Sequence, residues 1–121
     1  MTENQCSKQY DLEERTFQFA KKTALYVKQL PRNGSNIEYG RQVVDASGSV
    51  GANYIEANEA LSKKDFVMRI KICRKEAKES AYWFRLIIET NDGIHTHEGK
   101  ELLGEATEFK KIFSSILQKS E

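Results

Sequence analysis

The chain has 121 residues, 39% hydrophobic and 31% charged, which suits one domain with one core and excludes a disordered chain. A net charge of +1 announces no nucleic-acid or membrane partner through bulk electrostatics. No apolar run approaches the roughly 20 residues that span a bilayer, and MTENQCSKQYDLEERT has no signal-peptide core, so a cytoplasmic protein without membrane contact is expected.

Pro31 is the one proline, which favours long helices. Residues 1–10 are polar and read as a frayed end. The first segment covers about 11–30, where Leu12, Thr16, Phe19, Ala20, Thr23, Val27 and Leu30 share one helical face. Acidic residues crowd its start and Lys28 lies near its end, which suits the helix dipole. LPRNGSN then stops it, through Pro31 and Gly34.

The second segment covers about 37–61. Val43, Ser47, Val50, Tyr54, Ala57 and Leu61 hold one stripe at alternating steps of four and three. That phase runs straight through Gly48 and Gly51, although each interior glycine costs a helix about 1 kcal/mol relative to alanine. A loop would not keep helical phase on both sides of itself. The segment therefore reads as a helix with a deliberately small far side: Asp45, Ser49, Ala52, Asn53 and Glu56, with Ala46 beside them. Two readings account for it, tight packing within the bundle and a surface that accepts a second copy. Small side chains permit either, because they let helix axes approach below the usual spacing of about 8–10 Å. Asn53 and Glu56 need polar partners if covered, and Arg69 or Lys64 are the candidates.

The third segment, about 63–89, opens with Ser62 and Asp65 as an approximate capping box. Phe66, Ile70, Cys73, Ala77, Ala81, Phe84 and Ile88 line its core face, and Asn91, Asp92 and Gly93 end it. Cys73 on that stripe reads as a buried thiol rather than a disulfide with Cys6. The fourth segment, about 99–119, carries Leu102, Ala106, Phe109, Phe113 and Ile116 as a coiled-coil-type seam. Four such helices with short connections make a single all-α domain over residues 1–121, an antiparallel up-down-up-down four-helix bundle.

Charge divides unevenly. Residues 63–85 hold eight basic and three acidic residues, whereas 37–61 hold four acidic and one basic. Lys64, Lys71, Arg74, Lys75, Lys78 and Arg85 share one side of the third helix. That stripe suits a solvated face, a contact with the backbone of RNA or DNA, or an acidic face of a neighbouring subunit. Trp83, Ile72 and Met68 lie off the core stripe and, with the small face of the second helix, form a surplus apolar surface expected at a subunit interface.

Catalytic signals are sparse. His95 and His97 lie in the third connection, and HTHEGKE lacks the helical spacing of a zinc site. The Glu-x-x-His pairs of a di-iron bundle are missing. The expectation is a protein with no catalytic residues, metal or cofactor.

The residues GSVGANYIEA (48–57), followed by SKKDFVMRIKICRKEAKESAYWFRLI (62–87), resemble the bacterial four-helix-bundle family encoded by intervening sequences of 23S rRNA genes. The matching pattern is Ser49, Val50, Gly51, Ala52, Asn53, then Glu56 and Ala57, with the SKKDF helix start, Tyr82-Trp83 and an opening Asp11-Leu12-Glu13. Where many members are basic just before the motif, this chain has Val44 and Asp45. The resemblance implies a homo-oligomer, a pentamer, without known catalysis. A related group of basic bundles assists the reverse transcription of diversity-generating retroelements. The expected interface residues are Ser49, Ala52, Asn53, Glu56 and Trp83. The expected function is a scaffold or accessory protein with RNA contact, the alternative being a protein–protein adaptor with no nucleic-acid role.

Overall fold

The computed structural model describes the backbone of residues 2–120 and the side chains of residues 12–120. Its helices are α1 (Thr2–Gln29), α2 (Gly34–Asn58), α3 (Lys63–Glu89) and α4 (Thr96–Ser120). They form an up-down-up-down bundle in which α2 and α4 both pack closely on α3, α1 packs on α2, and α1 touches α4 least. α1 thus begins at Thr2, nine residues before the expected start near residue 11, while the side chains of residues 1–11, Cys6 among them, lie outside the described residues.

The starts of α2 and α3 follow side-chain caps. Asn33 accepts from the Asn36 backbone N–H at 2.9 Å and starts α2 three residues before the predicted position, which puts Gly34 in the first turn instead of in a breaking loop. Ser62 accepts from the Asp65 N–H at 3.0 Å and starts α3 where its capping box predicts. Capping holds Ser62 in extended backbone, so α2 cannot run on to it and ends at Asn58. Leu61, expected on the core stripe, is consequently 99% exposed in the turn. The turn before α4 uses positive φ at Asp92, Gly93 and His95, and α4 starts at Thr96, so His97 belongs to the helix and not to the loop.

Aromatic rings fill the centre. Phe109 meets Phe19 edge-on at 5.2 Å and stacks on Phe113, while Phe84 meets Phe19 and Tyr26. Val43, Val50, Ile70, Cys73, Ala77 and Ala106 are fully buried around them. At one end, Asn36 and Asn91 exchange amide hydrogen bonds at 2.8 Å, and each amide also donates to a carbonyl, Pro31 and Ile87 respectively. This satisfied polar pair ties the α1–α2 connection to the end of α3.

Candidate interaction surface

The glycines of α2 divide by direction. A Cβ on Gly51 would lie 3.1 Å from Thr16 Oγ1, and one on Gly40 only 2.6 Å from Val27 Cγ1. Both therefore face α1, and their lack of a side chain sets how closely the two helices approach. Gly48 is different: a Cβ there would have nothing within 4 Å. Beside it on the outer half of α2, Val44, Asp45, Ala52, Ile55 and Glu56 are exposed and Ser49 is partly so.

Of the five expected interface residues, the structure leaves Ala52 and Glu56 open and Ser49 half-covered. It places Asn53 and Trp83 in the seam between α2 and α3. Asn53 donates to the Ser49 carbonyl at 2.9 Å and accepts from Arg69 Nη1 at 3.0 Å, so of the two expected candidates, Arg69 and Lys64, it is Arg69 that partners Asn53. The Trp83 ring lies 5.9 Å from that of Tyr39 on α2 and 5.2 Å from that of Tyr82. Trp83 and Ile72 are half-buried, so they are covered within the protomer instead of forming open surplus, whereas Met68 is exposed.

The basic residues of α3 do share one outward side. Lys64, Lys71, Lys75, Lys78 and Arg85 are exposed and Arg74 is partly so. Lys75 faces Glu79 at 3.8 Å and Arg85 faces Glu89 at 3.1 Å. Among the described residues, Lys64, Lys71, Arg74 and Lys78 have no carboxylate within ion-pair distance. Tyr82, 59% exposed, stands in the same outward row. On the α2 side of α3, burial raises the Glu76 carboxyl above its usual range, and the neighbouring Glu79 and Asp45 charges act in the same direction.

A groove of about 630 Å³ runs between α1 and α4, bordered by Lys22 and Leu25 on one side and by Glu98, Glu101 and Glu105 on the other. Arg15 clasps it through two 2.7 Å bonds to Glu105, its guanidinium 5.2 Å from the Phe109 ring centre. Sequence reasoning missed this clasp, because a pair 90 residues apart leaves no local signal. The histidines each face a helical neighbour, His95 with Glu98 at 3.6 Å and His97 with Glu101 at 3.5 Å. Among the described residues, no three His, Cys, Asp or Glu are placed to hold a metal, and no helix is long and apolar enough to cross a membrane.

Residues 8–115 match the family model described as 23S rRNA-intervening sequence protein. The chain is also similar to a crystal structure from Bacteroides thetaiotaomicron, a protein of unknown function from the S23 ribosomal protein family. The two are 30% identical over 87% of this chain and 96% of that one, with a TM-score of 0.78. No curated protein matches the chain.

Proposed function

This chain belongs to the 23S rRNA-intervening sequence protein family, and from that premise we propose that it is a non-enzymatic cytoplasmic scaffold or accessory protein that works as a homo-oligomer, a pentamer. The observation that carries this reading is the outward face of α2. Gly48 has open space and Ala52 is exposed, and the branched side chains of Val44 and Ile55 stand in solvent beside them. Packing within the protomer accounts for Gly40 and Gly51 and leaves this face without a reason. A second copy supplies one, because short side chains admit a close helix and exposed apolar ones gain from its arrival.

The groups that would carry chemistry support the non-enzymatic part. Burial pushes the Cys73 thiol up to about 12, so it stays a protonated, unreactive thiol. Both histidines sit beside glutamates on the surface of α4 and its entry turn, away from that thiol.

A second partner has an observation of its own. The unpaired Lys64, Lys71, Arg74 and Lys78 suit a phosphate backbone, and copies in one assembly would add their effects. Such binding would be indifferent to sequence and steeply salt-dependent. Filter retention of structured RNA at low salt separates this from a protein–protein adaptor.

Light scattering of the purified chain tests the assembly reading. The expected result is a mass several times that of one chain. A single-chain mass at about 100 μM, where even a weak complex of micromolar Kd would form, overturns it.

A further inference from the structure

We infer that the outward face of α2 in one copy seats against the outward face of α3 in the next, acid against base, so that copies join head to tail. The inference rests on the assembly reading above and adds the second half of the contact. Two features of these faces match each other.

The first is charge. The exposed acids Asp45 and Glu56 of α2, and Glu59 at its C-cap, have no cation within ion-pair distance among the described residues. Neither do Lys64 and Lys78 of α3 have a carboxylate. Each helix therefore offers what the other lacks, on the side turned away from the core.

The second is height along the bundle. Contacts across the seam fix the antiparallel register of α2 and α3: Asn53 is level with Arg69, Val50 with Cys73 and Tyr39 with Trp83. In that register Asp45 is level with Lys78, and Glu56 and Glu59 fall within about one turn of Lys64, a turn being about 5.4 Å. Rotation about an axis parallel to the helices preserves height. A neighbour generated in that way therefore brings its Lys78 and Lys64 level with the first copy's acids. The same register puts Lys71 level with Ala52 and Lys75 level with Gly48. Long aliphatic stems thus lie over the two positions of α2 that have no bulk, which gives Gly48 its partner.

The contact joins two different surfaces, so it is heterologous, and it closes into a ring or runs on as a filament. Outward directions on adjacent corners of a four-helix bundle differ by about 90°, so each copy turns by a similar angle and the ring closes after about four or five. Nucleic acid fits the α3 face less well. Glu79 and Glu89 stand beside its basic residues and would oppose a continuous phosphate backbone, whereas the α2 acids meet the row at its unpaired ends, Asp45 at Lys78 and Glu56 with Glu59 at Lys64.

Charge exchange on the full chain tests this. Asp45→Lys with Glu56→Lys, and separately Lys64→Glu with Lys78→Glu, should each weaken self-association about a hundredfold. Helix content should be kept, because all four side chains are exposed. Carrying all four changes in one chain should restore the wild-type mass in sedimentation velocity. An assembled wild type whose mass ignores both pairs of changes, or a four-fold variant that stays dissociated while fully helical, overturns the contact and leaves the assembly reading standing. A monomeric wild type overturns both. If Lys64→Glu with Lys78→Glu keeps the assembly and loses only the retention of structured RNA, the α3 face belongs to nucleic acid and the inference is wrong.

Discussion

The two edges of α2 use the same residue type for different ends. Along the edge toward α1, Gly40 and Gly51 sit against Val27 and Thr16, where an added methyl would collide. On the outer half, a methyl added at Gly48 would meet nothing within 4 Å among the described residues. The sequence cost is alike in both places, about 1 kcal/mol per glycine relative to alanine. Only the inner pair has a return visible inside the protomer. A motif of small residues thus combines two constraints, one on folding and one on assembly, which can be altered separately. Changes along the inner edge should lower stability and leave mass alone, and bulky or charged changes on the outer half should lower mass and leave the fold intact.

The core supplies the reference for a pure folding effect. Phe109→Ala removes a ring packed against Phe19, Phe113 and the Arg15 guanidinium, and urea unfolding should show a loss of about 3–5 kcal/mol. Next comes Gly40→Ala. Val27 is β-branched on a helix and has little freedom to swing away, so overpacking of about 1–3 kcal/mol should outweigh the gain in helix propensity of about 1 kcal/mol. Thermal melts should show net destabilisation with the light-scattering mass unchanged. A Gly40→Ala variant as stable as wild type would erase the distinction between the two edges.

Alkaline pH gives a smaller effect from the same interior. Burial raises Cys73 from 9.0 to about 12, and burial with the Glu98 charge raises Tyr26 from 10.0 to about 12. The folded chain holds these protons while the unfolded chain releases them. The stabilisation is complete below about pH 9 and is lost as pH climbs toward about 12. Cys73→Ala should therefore show a shallower fall in stability between about pH 8 and 10.5 than wild type, measured by urea unfolding at each pH. The smallest effect belongs to Gly48→Ala. With open space around it, the added methyl should raise stability by up to about 1 kcal/mol.

The bundle itself was legible because its signals are local. The stripes through Val43 to Ala57 and Ile70 to Phe84 repeat at helical spacing, and Ser62 with Asp65 marks the start of α3 within its own turn. What failed depended on competition between neighbouring local signals or on partners distant in the chain. Leu61 continues the α2 stripe in sequence, yet Ser62 needs the turn it occupies. Trp83 looked like surplus because a stripe marks only the centre of the buried face, and seam positions beside it are covered by the next helix, here by Tyr39. The division among the glycines was invisible for the same reason. Which of them meets α1 depends on how α2 is rotated against its neighbour, and no spacing within α2 encodes that.

The central claim is that the outer half of α2 is covered by a second copy, and the light-scattering mass of Ala52→Arg beside wild type tests it most directly. Ala52 is exposed in the protomer, so the arginine has room there and circular dichroism should show unchanged helix. The wild-type mass should be a multiple of one chain, and that of Ala52→Arg should fall toward a single chain. A fully assembled Ala52→Arg variant would contradict it.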